Sequence, residues 1–194
     1  METFYIADMH LGHGNIIRFD NRPFTTIQEM EEVFIRNWNE RVTAKDRVFI
    51  IGDFCWGTTK EWERLLPLFK GQKFLVRGNH DIKHIAGKVA KLLAGIADYK
   101  SISDNGRDVY MSHFPQMFYN HSHNPNSYMV CGHVHMTKEN DHLEQWRAEL
   151  REIRRRTGAS NCGNIINAGC MLPYMGYTPR TLNEMIEGCG FLDK

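Results

Sequence analysis

Apolar residues fall into two kinds of pattern along this chain. Phe4-Tyr5-Ile6-Ala7, Val48-Phe49-Ile50-Ile51 and Phe74-Leu75-Val76 are short continuous runs without polar alternation, as in strands buried on both faces. Between them, Ile27, Met30, Phe34, Trp38 and Val42 recur every three or four residues. They follow Thr26 and Glu29 at capping-box spacing and predict an amphipathic helix. Thr58 and Glu61 predict a second helix start, which Pro67 would end, and a third helix is expected over residues 83–93. Strand, helix, strand, helix, strand, helix is an α/β order with parallel strands. The second half reads differently. Residues 96–103 and 107–112 flank Asp104-Asn105-Gly106 and predict a hairpin. A strand follows over 128–131, then a charged helix over 139–156 ended by Gly158. A last strand covers 164–168 and a short helix 181–187. Residues 1–194 read as one domain, with the charged helix as an insertion.

Composition narrows the class. The chain has 194 residues and a formal net charge of +1, so no overall basic footprint for duplex nucleic acid is present. Five cysteines, an odd number without paired metal-type spacing, read as reduced and mostly buried. That usage fits a cytoplasmic protein. The first apolar run reaches Asp8 within a few residues, which leaves no room for a signal peptide. No run approaches the roughly 18 apolar residues of a membrane span, and no membrane partner is expected.

Ten histidines are many for this length, and their placement carries the chemistry. Ligand-type residues follow the apolar runs repeatedly: Asp8 with His10, Asp53, Asn79 with His80, His113, and His133 with His135. In α/β sheets, sites form at the carboxyl ends of strands. Residues i and i+2 of an extended segment point the same way, roughly 6–7 Å apart, so Asp8 and His10 can converge, as can His133 and His135. A mixed nitrogen and oxygen set without thiolate suits Mn²⁺, Fe, Zn²⁺ or Ni²⁺. Seven ligands suit two ions better than one. In Gly78-Asn79-His80-Asp81, the glycine would free a sharp turn and Asn79 would offer a neutral oxygen. His80 would carry a proton near neutral pH, and Asp81 would orient its ring.

The ordered series Asp8-Met9-His10, Gly52-Asp53, Gly78-Asn79-His80-Asp81, Ser112-His113 and Gly132-His133-Val134-His135 resembles the calcineurin-like metallophosphoesterase superfamily. That resemblance implies a four-layer sandwich of two mixed sheets flanked by helices, with a dinuclear metal site at the strand ends. It implies that Asp8, His10 and His135 hold one metal, that Asn79, His113 and His133 hold the other, and that Asp53 bridges them. It further implies hydrolysis by a metal-bridging hydroxide, with His80 as acid and Asp81 as its orienter. The chain departs from the Ser/Thr phosphatase branch, which has Asp-Arg-Gly after the second motif and Glu after Asn-His. Here Phe54-Cys55-Trp56-Gly57 and Asp81 stand there instead.

The loop of His13, Asn15, Arg18 and Arg22 resembles that of a small bacterial and phage-type branch. His13 and Asn15 would reach a phosphate or a substrate hydroxyl, and Arg18 or Arg22 would pair with phosphate bidentately. Trp56 reads first as a packed or surface aromatic and second as a stacking platform. His121 and His123, within residues 120–127, read as a mobile rim of the site, His84 and His142 as ordinary surface residues, and Cys170 as structural. The charged helix has a seam of Leu143, Trp146, Leu150 and Ile153, with Arg147, Arg151 and Arg155 as a solvated row opposite. The expected function is hydrolysis of a small phosphodiester, a cyclic or linear nucleotide first among them, with two divalent ions, Mn²⁺ before Fe, Zn²⁺ or Ni²⁺. The alternatives are a phosphomonoesterase and a catalytically weak, metal-stabilised module that binds nucleic acid or protein. Oligomeric state is not legible.

Overall fold

The continuous apolar runs form an entirely parallel sheet. Its strands β1 (Thr3–Ile6), β2 (Arg47–Ile51), β3 (Gln72–Val76) and β4 (Gly95–Ala97) lie side by side in chain order. The computed structural model describes residues 1–82, 85, 87–158 and 163–190. Helices α1 (Gly14–Phe19), α2 (Ile27–Arg41), α3 (Thr59–Leu65) and α4 (Gly87–Leu92) belong to this half. A single 3-10 turn, Leu66–Leu68, contains Pro67 and stops α3. The helix expected from residue 83 starts at Gly87. Lys83 and His84 lie outside the described residues.

Only the second sheet is mixed. Strands β5 (Tyr99–Asp104) and β6 (Arg107–Ser112) are antiparallel, and β7 (Ser127–Cys131) and β8 (Ile165–Asn167) continue parallel to β6. Asn105 and Gly106 both take positive φ, as a tight hairpin turn requires. The expected first arm of this hairpin divides between the sheets. Ile96 and Ala97 pair with β3, whereas Tyr99 opens β5. Helix α5 (Lys138–Thr157) is capped by Thr137 and closed by Gly158 at φ 68°. Helix α6 (Leu182–Gly188) has a full capping box, Thr181 with Glu184. In α2 the Thr26 hydroxyl accepts from the Glu29 amide, but Glu29 reaches back to Thr25 instead of Thr26.

Alternation sorts the second sheet into two cores. Val109, Met111, Val130 and Ile166 join the main core with β1, β2 and α2, while Tyr110, Met129, Cys131 and Ile165 pack with Leu143 and Trp146 of α5. The four layers are thus helices, parallel sheet, mixed sheet and α5. Arg147 departs from the expected solvated row: it is buried on α5 and paired with Glu144. Ile153, expected in the seam, is exposed. No helix among the described residues is long and apolar enough to cross a membrane.

The sheets meet edge to edge at β1 and β8. The Ala7 amide donates to the Ala168 carbonyl at 2.8 Å, and the Cys170 amide donates to the Ala7 carbonyl at 3.0 Å. The bridge between Ala7 and Gly169 is parallel. Strands β1, β2, β3, β6, β7 and β8 therefore all run the same way, and their carboxyl ends share one edge. Deeper in, the buried Tyr5 hydroxyl donates to Asp104 Oδ2 at 2.8 Å across the two sheets. Tyr5→Phe should leave the buried Asp104 carboxylate short of a donor and cost roughly 1–3 kcal/mol. Urea unfolding measures this, and metal content should not change, because the contact lies below the ligand edge.

Candidate metal centre

The residues beyond the strand ends converge by a route the sequence does not suggest. Asp8, His10, Asp53, His133 and His135 all take positive φ, between 47° and 70°. The chain is thus coiled left-handed at these positions, not extended. Asp and His tolerate this conformation better than most residues, but it still strains the backbone. The Asp8 carboxylate accepts from the His133 amide at 3.0 and 3.1 Å, tying the first motif to the last. Gly52 is needed for approach as well as for its φ of 80°: a Cβ there would lie 2.1 Å from His113 Nδ1.

Two clusters of donor atoms result. In the first, His10 Nε2 lies 3.3 Å from His135 Nε2, and His135 Nε2 lies 3.9 Å from Asp8 Oδ1. In the second, Asn79 Oδ1 sits 2.9 Å from His113 Nε2 and 3.0 Å from His133 Nδ1. One oxygen joins them. Asp53 Oδ2 is 3.4 Å from His10 Nε2 and 3.4 Å from His113 Nε2. Ligand atoms of Asp8, His10 and His135 lie within 4.8 Å of one another, as do those of Asp8, Asp53 and His113. The sequence-expected ligands are thus brought together as two groups sharing Asp53.

The donor set fits divalent cations. Carboxylate, amide oxygen and imidazole nitrogen suit such ions, without thiolate. The Nε2 atoms of His10 and His135 face one another, as two ligands of one cation would. Burial holds His10 near a pKa of about 3, so its ring is neutral and one of its nitrogens carries no proton. Burial also disfavours charge on His113. The hydrogen bond to Asp53 and the charges of Asp8 and Asp53 outweigh it, raising His113 to about 9. Asp53 shows the reciprocal effect. Burial opposes its charge, but His113, the His80 amide and His10 bring it to about 2. Asp8 is fully buried and pushed up by desolvation, against the pull of His135 and His113.

Residues outside the motifs hold the ligands in place. The His113 Nδ1–H donates to the Ile51 carbonyl at 3.0 Å, which leaves Nε2 for the site. Asp20, which sequence reading missed, does the same for His135, accepting from Nδ1 at 2.8 Å. A carboxylate on the far nitrogen fixes the tautomer and raises ligand basicity. Asn167, also missed, donates from Nδ2 to the His135 carbonyl at 3.0 Å.

Two expected roles change. Arg22 is not free to pair with a phosphate. It is buried, bound to Asp20, and donates to the Asp8 and Met9 carbonyls at 2.8 Å each. Asp81 does not orient the His80 ring. Its carboxylate accepts from the amides of Gly78, Asp53 and Phe54 at 2.8, 3.1 and 2.9 Å. Desolvation raises Asp81 to about 6 even so. Gly78 serves approach and not a sharp turn, since a Cβ there would meet Asp53 Oδ1 at 2.2 Å.

The His80 ring is exposed beside the first cluster, 5.5 Å from the His10 ring and 5.0 Å from that of Trp56. His13 stacks on Trp56 at 4.3 Å and lies 5.9 Å from His10. Asn15 and Arg18 are exposed on α1, 3.4 Å apart. His121 and His123 are not on the rim. His121 lies 3.6 Å from Asp108, at the amino end of β6, whereas the site is at its carboxyl end.

Comparison with known proteins supplies the family and the fold. The profile of the calcineurin-like phosphoesterase superfamily domain matches residues 1–178. An uncharacterized protein of Methanocaldococcus jannaschii is 32% identical over 147 residues, spanning 75% of this chain and 73% of that protein. The gene 66 protein of Mycobacterium phage L5 is 28% identical over 131 residues, spanning 58% of this chain and 63% of that protein. A crystal structure of a protein of unknown function from Aquifex aeolicus shares the fold. Its TM-score is 0.66 at 24% identity, over 95% of this chain and 97% of that one.

Removing single ligands should separate the clusters. Asn79→Ala should lose about one ion of two, and Asp53→Ala should weaken both, as read by elemental analysis after dialysis. Asp20→Ala should lower metal affinity roughly 10–100-fold at the first cluster alone. Calorimetric titration showing equal losses at both clusters would contradict that placement.

Proposed function

The chain belongs to the calcineurin-like phosphoesterase superfamily, and we propose from that premise that it is a dinuclear hydrolase of a small phosphodiester. The observation that carries this reading is Asp53 Oδ2, equidistant from a histidine of each cluster, with the exposed His80 ring alongside. Two divalent ions, when bound, supply Lewis-acid activation of water and neutralise phosphoryl oxygens. Mn²⁺ is our first choice of ion, ahead of Fe, Zn²⁺ or Ni²⁺, all of which the nitrogen and oxygen donor set admits.

The protein's own part is to hold and to protonate. Asp8, His10 and His135 would hold one ion, and Asn79, His113 and His133 the other, with Asp53 common to both. His80 would donate a proton to the leaving ester oxygen. Its amide donates to Asp53 Oδ1 at 2.9 Å, which ties the loop of the acid to the bridging carboxylate. Asp81 ties the same two loops through its amide contacts to Gly78 on one and to Asp53 and Phe54 on the other. The arrangement depends on rigid backbone more than on a side-chain relay.

After Mn²⁺ reconstitution the enzyme should turn over bis(4-nitrophenyl) phosphate with a higher kcat/KM than 4-nitrophenyl phosphate. The opposite order would make it a phosphomonoesterase. Absence of turnover on both, with two ions bound, would favour a binding module. His80→Ala should lower kcat roughly 10²–10⁴-fold, the usual worth of a general acid, with metal content unchanged. Loss of bound metal in that variant would move His80 into the ligand set.

A further inference from the structure

Two aromatic surfaces flank the ligand edge, one on each cluster. Trp56 is 44% exposed, is backed by stacked His13 and touches His80, whose ring packs on His10 of the first cluster. Phe114 is 50% exposed and belongs to the second cluster, 5.3 Å from the ring of His113 and 4.4 Å from that of His133. The Phe114 side opens into a groove of about 370 Å³. Asn79 and His113 line it, Ile82 and Phe114 give it apolar walls, and the paired Arg77 and Asp98 belong to its lining. This volume lies near the bottom of the range for small organic ligands, about 300–1,000 Å³. It suits one nucleoside-sized group.

We propose that this groove is a second substrate subsite, which takes the arm of the diester that stays on phosphorus, while Trp56 and His13 face the arm that leaves. The inference rests on the phosphodiesterase reading and extends it. A monoester has one organic substituent and would leave one aromatic wall unused. A diester with an aryl or nucleoside group on each side occupies both. Aromatic faces accept any base, so a half-exposed ring on each side of the cleft can take one arm each. The reaction consumes one water. Its hydroxyl bonds to phosphorus, the P–O bond to the leaving arm breaks, and a proton reaches the departing oxygen from His80, which the second hydrogen of the water replenishes through solvent. The product is a monoester still seated against Phe114. The position of His80 assigns the arms, because it stands on the Trp56 side.

Three esters with one leaving group test this: thymidine 5′-(4-nitrophenyl) phosphate, methyl 4-nitrophenyl phosphate and 4-nitrophenyl phosphate. Phe114→Ala should raise KM for the thymidine diester about tenfold, the scale of losing one base stack. It should leave KM for the methyl diester and the monoester unchanged. Phe114→Leu keeps apolar bulk and should fall between the two. Trp56→Ala should impair all three esters equally, because they share the leaving arm. Calorimetry with thymidine 5′-monophosphate, the retained product, should show weaker binding to Phe114→Ala and unaltered binding to Trp56→Ala. Equal effects of Phe114→Ala on all three esters, or none on any, with turnover intact, would overturn the groove assignment and spare the phosphoesterase reading. Failure to hydrolyse any of the three would overturn both.

Discussion

Asp53 is the point on which the ligand edge depends. Its carboxylate is almost wholly buried, yet it keeps its charge because histidines of both clusters and the His80 amide face it. A buried charge is tolerable only when paired and hydrogen-bonded. That requirement propagates outward. The Asp53 amide is held by Asp81, Gly78 must lack a Cβ to pass its oxygen, and Gly52 must lack one to admit His113. These residues come from three strand ends, those of β2, β3 and β6. Shifting any of these strands by one residue would therefore break the pairing at Asp53 as well as turn the strand's side chains over in the core.

The same edge stores strain. Asp8, His10, Asp53, His133 and His135 adopt left-handed backbone, at a cost on the order of 1–3 kcal/mol each. The buried polar residues around them serve that geometry. Arg22 grips the Asp8 and Met9 carbonyls, Asp8 grips the His133 amide, and Asn167 grips the His135 carbonyl. Two extensive cores beneath offset the expense. The site is thus held open by polar clamps on the backbone more than by packing of the ligands themselves.

The layers and ligands were legible because they follow simple rules. Apolar runs marked the strands, and ligand-type residues marked their ends. What escaped was set by contacts distant in sequence. Asp20 is one polar residue in a polar loop, and its partner His135 is 115 residues away. Asp81 sits next to His80 in sequence, so adjacency suggested a pair, but its carboxylate turns toward the strand-end amides. Arg147 was assigned to a solvated row because a charged side chain reads as surface. It is buried because it falls one turn beyond Leu143 on the same face, with Glu144 in reach. The run over 96–103 lacked alternation, so nothing in it marked where one sheet ends and the next begins.

Burial also makes the two clusters unequal. Asp8, His10 and Asp53 are nearly inaccessible, while Asn79 is exposed and His133 only half-buried. The first cluster also has His135 locked by Asp20, and no such carboxylate backs His133 among the hydrogen bonds of the described residues. Electrostatic attraction strengthens as water is excluded. The first cluster is therefore the deeper and more rigid group of donors, and the second is the face turned to solvent. On the proposed function a phosphate ester would approach over Asn79, His80 and His133, with Trp56 on the His80 side and Phe114 on the His133 side.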